Sequence, residues 1–337
     1  MTLVVAQVNG KNISAVSDTG ISHNNGDIFP AHKCKPKICI LSENIAVGFS
    51  GSPELADTAI SKCPTVENYH DVVNYFLEFH IQKENGVDFL IMSQLGNPSI
   101  TKISGGRKTK GPSNISWIGE KIAFDRFQLY RNSENVPTSV SHFERPLMAT
   151  ANRLEIAGNN QTFKLASTLR YVILDRDVHS VFGHPVVISN VDGGFTYRPY
   201  AISLDTKPIT AEQQASFPDN IVAELDELRE FSFSCYVTKP NSHKQGIAYH
   251  YMRGNFTYVY YGDRGKPLNV FKLVKDQNAD GFIRIMENEG CTDWTGYLLS
   301  MRPPSTEDGY PMDRWIEADK ETLIRSGMNL KNNKKSK

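Results

Sequence analysis

Paired β-strands separated by helical segments organise the first 200 residues of this chain. Residues 2–8 and 12–17 are two β-branched runs joined at Asn9-Gly10. Asn-Gly between such runs is the strongest short signal for a hairpin. Residues 37–50 predict a second hairpin. A chain that begins with two hairpins and then turns helical is constrained to antiparallel sheets with helices packed on them.

Helical segments follow the strands at several points. Ser52 and Pro53 suit the N-cap and the first position of a helix, and Thr65 is predicted to cap a longer one. Further helices are predicted over 122–131 and over roughly 143–171, and the basic stretch 105–113 is predicted as a loop. The other predicted strands are 87–93, 99–103, 114–118, 185–191 and 195–200.

The order of these elements predicts an α+β protein. Antiparallel hairpins separated by helix pairs indicate two stacked sheets with helices outside, a four-layer αββα sandwich over residues 1–205. After this point the pattern changes, so 206–330 is predicted as a separate α+β extension of unknown role. The tail 331–337 is basic and polar and is predicted to be disordered. The extension is predicted to hold a helix over 210–231, a β-meander over 232–289 and a short helix over 313–326.

Composition excludes several classes of function. Lys plus Arg number 37 and Asp plus Glu number 37, so no net charge draws the chain to nucleic acid or to an anionic membrane. The five cysteines are odd in number and widely spaced, which argues against a disulfide framework or a structural zinc site. No apolar run reaches about 18 residues and no signal-peptide pattern opens the chain. We therefore expect a cytoplasmic protein without a cofactor.

Thr2 is the residue at which chemistry is easiest to place. A threonine hydroxyl is a weak nucleophile unless a base lies beside it. At a chain's N-terminus the threonine carries its own base, an α-amine with a pKa of about 7.7–8.0. Thr2 is small enough for Met1 to be trimmed, so we expect a free Thr2 without a propeptide.

The spacing of four residues supports this interpretation. Thr2 and Asp18 are 16 positions apart, and Lys37 and Gly51 are 14 apart. Taken singly, Asp18 and Gly51 could be turn residues and Lys37 a strand-edge lysine. Together, with strand character between them, they resemble the start of proteasome β-type subunits. The resemblance covers about residues 2–200 and is greatest to the bacterial peptidase subunits that work with a ring ATPase.

That resemblance implies a role for each of the four residues. Thr2 would be the nucleophile of an N-terminal-nucleophile (Ntn) hydrolase. Lys37 would place a positive charge near it, which favours a neutral α-amine and an ionisable hydroxyl. Asp18 would anchor Lys37, because a buried ammonium needs a partner. The backbone N–H of Gly51 would donate to the oxyanion of a tetrahedral intermediate.

The resemblance implies further site residues. Ser22 falls where family members bind the substrate backbone. Phe49 falls where they line the substrate pocket, and its bulk predicts small side chains beside the scissile bond. Asp177 and Ser180 match a family pair that supports the threonine amine. Two residues intervene before Gly183, and alignment on that glycine would place His179 in the position of the aspartate instead.

One position departs from the family. The family has Gly-Ser-Gly where this chain has Gly119-Glu120-Lys121, so a carboxylate replaces the serine hydroxyl that helps the amine. Glu120 could hold the amine protonated, or it could accept a proton in a variant mechanism. The first outcome would leave the fold without catalysis, as a scaffold or interaction protein.

A calcium-binding pattern lies in the extension. Asp276, Asn278, Asp280 and Glu287 match the ligand positions of an EF-hand loop, with the turn glycine in place. The flanking residues alternate like strands instead of forming helices, and a β-hairpin turning over 278–281 explains the same residues. Both interpretations stay open, the hairpin being the simpler.

The predicted function is that of a threonine-type Ntn amidohydrolase acting on a peptide or a small amide. Family members assemble into rings, so the resemblance implies self-association as a homo-oligomer and leaves room for an ATPase partner. The alternatives are the inactive scaffold and a working C-terminal meander that binds a ligand or partner.

Overall fold

The computed structural model describes most of the chain's first half and a sheet from its second half. The described residues are 2–21, 34–64, 68–111, 115–132, 144–146, 160–173, 175, 177–190, 193–198, 202–204, 232–238, 243–251, 256–272, 288, 290, 294–300 and 314–318.

The described residues contain four helices and eighteen strands. The helices are α1 (Pro53–Ser61), α2 (Tyr69–Gln82), α3 (Lys121–Asn132) and α4 (Asn160–Ile173). The strands of the first half are β1 (Leu3–Asn9), β2 (Asn12–Ser17), β3 (Ile38–Ile40), β4 (Ile45–Gly51), β5 (Val87–Ser93), β6 (Ser99–Ser104), β7 (Arg107–Lys110) and β8 (Ile115–Gly119). The later strands are β9 (Glu144–Pro146), β10 (Val186–Ser189), β11 (Thr196–Arg198), β12 (Ile202–Leu204), β13 (Ser232–Thr238), β14 (Lys244–Tyr251), β15 (Phe256–Asp263), β16 (Asn269–Lys272), β17 (Trp294–Ser300) and β18 (Arg314–Ala318).

Two five-stranded antiparallel sheets form the first half. The first sheet has the order β11-β10-β2-β1-β8, and the second has the order β3-β4-β5-β6-β7. The predicted hairpins at 2–17, 37–50 and 87–103 are each present as antiparallel pairs. The β1–β2 turn uses Gly10 at φ 59°, a left-handed conformation that glycine adopts without steric cost.

The two sheets share one apolar core. Alternate residues of both sheets contribute to it, including Val4 and Ala15 from the first sheet and Ile38 and Leu90 from the second. Close approach depends on Gly48, because a Cβ there would lie 2.7 Å from Val4 Cγ1. Each sheet therefore buries one face against the other, as strands with alternating apolar residues require.

Helices cover the outer face of each sheet. The first sheet packs through residues such as Val5 and Val16 against Phe127 of α3 and Leu169 of α4. The second sheet packs through residues such as Val47 and Phe89 against α1 and α2, and Phe76 is fully buried there. Burying an aromatic or aliphatic side chain of this size contributes about 1.5–3 kcal/mol, so the helices are held mainly by their apolar faces.

The third sheet belongs to the C-terminal half. Its six strands have the order β16-β15-β14-β13-β17-β18 and are all antiparallel. Ile247, Tyr260 and Leu268 from this sheet and its β15–β16 connection are buried in the core that the first two sheets share. A two-stranded sheet pairs β12 with β9.

The third sheet also covers the free edge of β3. Ile40 O accepts hydrogen bonds from Gln245 Nε2 at 2.9 Å and from the Gly265 N–H at 3.1 Å. A further bond to this edge comes from the first sheet, where Tyr197 Oη of β11 donates to Ile38 O at 2.9 Å. Unpaired carbonyls at a sheet edge invite association with other chains, so these bonds protect the edge within the same molecule.

Four sequence-based element predictions were wrong in part. The N-cap of α2 is Asn68, whose side chain accepts from the His70 N–H, and not Thr65. The 105–113 loop contains β7, because Gly105 and Gly106 both adopt positive φ and turn the chain back along β6.

The other two errors replace helix with strand. Residues 144–146, predicted to begin a long helix, form β9, and the described helix begins at Asn160. Residues 314–318, predicted as helical, form β18 paired with β17. Both strands are short and take their conformation from a partner strand outside the segment, which periodicity within the segment does not reveal. The helix predicted over 210–231 and the last strand of the meander lie outside the described residues.

Candidate functional site

Thr2 and Asp18 meet because of the register of the first hairpin. β1 pairs with β2 so that Val4 lies opposite Ser17, and continuing this register places Leu3 opposite Asp18. The Leu3 N–H donates to Asp18 Oδ1 at 3.1 Å. The spacing of 16 residues in the sequence is therefore the length of this hairpin, whose two strand ends bring Thr2 and Asp18 together.

The Asp18 carboxylate joins Thr2 to Lys37. Thr2 Oγ1 donates a short hydrogen bond to Asp18 Oδ1. Lys37 Nζ lies 2.7 Å from Asp18 Oδ2, which also accepts from the Gly20 N–H at 3.1 Å. Both oxygens therefore have two donors each, and a carboxylate held this way is fixed in orientation.

These three side chains are closed off from solvent. The exposed fractions are 2% for Thr2, 0% for Asp18 and 4% for Lys37. Burial lowers the pKa of the Lys37 ammonium, and the charge and hydrogen bond of Asp18 oppose that decrease. A buried ion pair of this kind contributes little net stability, because the loss of hydration offsets the attraction between the two charges.

The end of β8 fixes the backbone of Thr2. Gly119 has φ 111°, and a Cβ there would lie 2.0 Å from Thr2 O, so only glycine fits. The next residue, Glu120, donates its N–H to Thr2 O at 2.9 Å at the point where α3 begins. Glu120 therefore adjoins Thr2 through its backbone, and its side chain is half-buried. The effect of its carboxylate on the Thr2 amine stays a prediction.

Gly51 and Phe49 occupy the end of β4. Gly51 has φ 108°, and a Cβ at this position would lie 2.5 Å from Gly86 O, so a glycine is needed here. Ser52 caps α1 by accepting from the Leu55 N–H at 3.3 Å, so Gly51 directly precedes a helix N-terminus. Phe49 is 2% exposed and packs in the core beneath α1 and α2. The oxyanion role of Gly51 and the pocket role of Phe49 stay predictions.

The segment Phe182–His184, which we call the strap, lies against Thr19 and Gly20. Phe182 O accepts from the Gly20 N–H at 2.9 Å. The His184 N–H donates to Thr19 Oγ1 at 2.9 Å. Gly183 has φ 87°, and a Cβ there would lie 2.4 Å from Thr19 Oγ1. The strap thus braces the two residues that follow Asp18.

The buried guanidinium of Arg170 contacts the strap. Arg170 on α4 is 2% exposed and donates through Nη1 to Gly183 O at 3.2 Å. Burial, with the charge of Arg170 adding to it, lowers the pKa of His184 to about 3. His184 is therefore neutral at physiological pH and acts here as a packed structural side chain.

Asp177 is held by α3. Its Oδ2 lies 2.7 Å from Arg126 Nη2, and the same arginine reaches the buried Asp175 at 3.5 Å. Tyr130 Oη also donates to Asp175. Among the described residues neither Asp177 nor Ser180 hydrogen-bonds to Thr2, and Ser180 Oγ is buried without a partner. Their proposed support of the amine remains a prediction; His179, the alternative, is exposed.

Two further residues lie near Asp18 and Lys37. The Lys35 N–H donates to Thr19 O at 2.8 Å, and its ammonium pairs with Asp57 on α1. Cys34 is 1% exposed, and burial raises the pKa of its thiol, against the lowering effects of a hydrogen bond with the Ile21 backbone and of Lys37. These contacts tie the segment before β3 to the Asp18 turn.

Sequence reasoning missed the strap. Thr19, Gly20 and Phe182 carry no motif that the sequence alone distinguishes, although the two residues inserted before Gly183 mark the place. Ser22 and the calcium-loop residues Asp276, Asn278, Asp280 and Glu287 lie outside the described residues, so their roles stay predictions. Within the described part of the chain no group of three or more His, Cys, Asp or Glu residues could hold a metal ion.

None of the helices in the described ranges has the length and apolar character that crossing a membrane requires.

Comparison with known proteins gives partial structural likenesses. No protein-family model matches the chain, and no curated protein matches it. Eukaryotic HslV from Trypanosoma brucei is 12% identical with a TM-score of 0.36, over 56% of this chain and 98% of that chain. The Gly-1 mutant of Anbu from Hyphomicrobium sp. strain MC1 is 12% identical with a TM-score of 0.39, over 68% of this chain and 100% of that chain. At such low scores neither likeness determines the activity.

Proposed function

We propose that this chain is a threonine-type Ntn hydrolase that cleaves an amide bond with Thr2 after removal of Met1. One observation supports this most: a single buried carboxylate, Asp18, contacts both the hydroxyl of Thr2 and the ammonium of Lys37. A hydroxyl at a chain's start, beside a buried cation fixed by a carboxylate, is an arrangement that can activate a nucleophile.

The first chemical step forms an ester. With Met1 removed, the Thr2 nitrogen becomes an amine and takes the proton from Oγ1 as Oγ1 attacks the substrate carbonyl carbon. The positive charge of Lys37 keeps the amine neutral beforehand and stabilises the developing alkoxide. The carbonyl oxygen becomes an oxyanion to which the Gly51 N–H donates a hydrogen bond, with the N-terminus of α1 adding a favourable dipole.

The intermediate then collapses and is hydrolysed. The C–N bond of the substrate breaks, and the protonated Thr2 amine gives its proton to the leaving nitrogen. Water then gives a proton to the same amine as its oxygen attacks the ester carbonyl carbon. The C–Oγ1 bond breaks, the amine passes that proton to Oγ1, and the acid product is released. Asp177 and Ser180 would orient the amine, and Ser22 and Phe49 would contact the substrate.

The remaining expectations accompany this proposal. The shared core of two sheets with helices outside fits the four-layer αββα sandwich of Ntn hydrolases. A peptide is the proposed substrate, with a small amide as the alternative. We also propose self-association of the chain, in a ring as in the family, an ATPase as a candidate partner, and a cytoplasmic location.

A second candidate is a scaffold without catalysis. It is favoured by the burial of Thr2, whose side chain faces Asp18 and is 2% exposed. It is also favoured by Glu120, which lies next to Thr2 where the family carries a serine. A carboxylate near the α-amine raises the pKa of the amine and so weakens it as a base.

Intact mass after incubation with a peptide epoxyketone, an electrophile that traps N-terminal threonine, tests the proposal. We expect a chain that lacks Met1 and carries one adduct. Thr2→Ala should carry none, and Thr2→Ser should react more slowly while still forming one.

Two results would contradict the enzyme. Retention of Met1 leaves the Thr2 nitrogen as an amide without a basic lone pair. An equal adduct on Thr2→Ala would show that another residue reacts. Met1 loss without an adduct in the unmodified chain would favour the scaffold.

A further inference from the structure

The aromatic ring of Phe182 lies flat against Gly20. A Cβ built on Gly20 would lie 2.6 Å from Cγ and Cδ2 and 2.7 Å from Cδ1 of that ring. Contacts this close to three ring atoms mean that the ring covers the side of Gly20 where a side chain would project. Phe182 as a whole is half-buried.

Gly20 is a glycine because of the ring and not because of its backbone. Its φ is not among the positive values of this chain, so any residue could adopt its conformation. What excludes a larger residue is the space taken by Phe182. The two residues are therefore a matched pair, and Phe182 has one defined position at the end of the strap.

This pair is separated from the Thr2 hydroxyl by one carboxylate. The Gly20 N–H donates to Phe182 O and also to Asp18 Oδ2. The other oxygen of Asp18 accepts from Thr2 Oγ1. Thr2, Asp18 and Gly20 are buried, whereas Phe182 is partly exposed. The ring therefore belongs to the partly exposed residue at the end of a series of contacts that leads through Gly20 and Asp18 to the Thr2 hydroxyl.

We propose that Phe182 is a specificity-determining residue of the Thr2 site, where its ring restricts the size of the substrate side chain next to the scissile carbonyl. The inference depends on the proposed hydrolase function and names its substrate class: amides with a small side chain at that position. The strap holds the ring in place through Gly183, because Arg170 and Thr19 fix that residue from two sides. Truncation of Phe182 therefore widens the approach without altering Asp18 or Lys37.

Two epoxyketone probes that differ only in the residue next to the ketone, alanine or phenylalanine, test the proposal. The unmodified protein should react faster with the alanine probe, by about tenfold or more, since single-group differences in a pocket give about 10–200-fold discrimination. In Phe182→Ala this preference should decrease by about tenfold through faster reaction with the phenylalanine probe. Phe182→Leu, which keeps an apolar contact with Gly20, should give an intermediate preference. It supplies the test if Phe182→Ala has too low a melting temperature to be assayed.

Leu129→Ala is the matched control, because Leu129 is 53% exposed on α3 and its truncation should leave the preference unchanged. An unchanged preference in both Phe182 variants, with adducts still formed on Thr2, would overturn the role of Phe182 and leave the hydrolase standing. Absence of a Thr2 adduct with either probe on the unmodified protein would overturn the hydrolase, and the specificity role with it.

Discussion

At the scale of single residues, the contact between Lys37 and Asp18 carries the most consequence. Both side chains are buried, and the ammonium has its pKa lowered by burial and partly restored by the carboxylate. Removal of one member of a buried pair leaves the other charge uncompensated, which costs more than the pair itself contributes. The site therefore depends on Asp18 for stability as well as for the orientation of Thr2.

Asp18→Asn should lower the free energy of unfolding near neutral pH by about 3–5 kcal/mol. Without the carboxylate the pKa of Lys37 decreases further in the folded state. The unfolded chain then binds one more proton between that lowered pKa and the ordinary value of 10.5, so stability rises with pH across this window. The penalty relative to the unmodified protein should shrink as the pH is raised from about 6 to about 10, as measured by urea unfolding at each pH.

Asp18→Asn combined with Lys37→Met is the control for that experiment. The double variant has no buried ammonium, so its own free energy of unfolding should lack the Lys37-dependent rise with pH that the single variant shows in this window. A penalty of the single variant that stays constant with pH would contradict the assignment to Lys37.

At the scale of elements, the capping residue of α2 determines where this helix begins to pack on the second sheet. α2 begins where the Asn68 side chain accepts from the His70 N–H at 2.9 Å, and its buried face presents Val72, Phe76 and Phe79 to the sheet. The first backbone N–H groups of a helix have no partner within the helix, so the capping side chain fixes where the apolar face starts.

Replacing the cap should weaken the whole helix layer slightly. Asn68→Ala should lower the free energy of unfolding by about 1 kcal/mol, because one N–H group at the start of α2 loses its acceptor. Asn68→Ser and Asn68→Asp keep an acceptor and should lose clearly less. Urea midpoints of the three variants make the comparison, and equal losses in all of them would mean that Asn68 does not act as the cap.

At the scale of the whole molecule, the C-terminal sheet and the first two sheets share one core. Ile247 is fully buried with Ile38 and Ile40, and the edge of β3 receives hydrogen bonds from Gln245 and Gly265. An apolar core that crosses between two halves of a chain couples their stabilities. We expect the extension to unfold together with the hairpins that hold Thr2.

Ile247→Ala tests this coupling. The cavity should cost about 2–5 kcal/mol. In a background where Trp294 and Trp315 are replaced by phenylalanine, the fluorescence of Trp117 on β8 reports on the first sheet. Its denaturation midpoint should shift by the same amount as the midpoint measured by circular dichroism. Ile81→Ala, at a side chain 53% exposed on α2, is the matched control with a shift near zero. A Trp117 midpoint that does not move in Ile247→Ala would establish independent halves.

The sequence by itself determined the local structure of the first half and the candidate nucleophile. β-Branched runs around Asn9-Gly10, the Ser52-Pro53 helix start and the apolar face of α2 are set by neighbours along the chain, so their patterns predicted them. The family resemblance that their spacing carries also implied that Thr2, Asp18 and Lys37 belong together. These residues lie at strand ends whose positions the hairpin lengths define.

Only the tertiary structure decided which distant groups meet. β9 pairs with β12 and β18 pairs with β17, and each of these partners lies outside the segment itself. Asp177 lies against Arg126, and Phe182 lies against Gly20, although nothing in either segment's own pattern names its partner. The shape and burial of the whole core determine how segments remote in sequence pack together. The pattern of residues within one segment therefore does not predict which other segment it contacts.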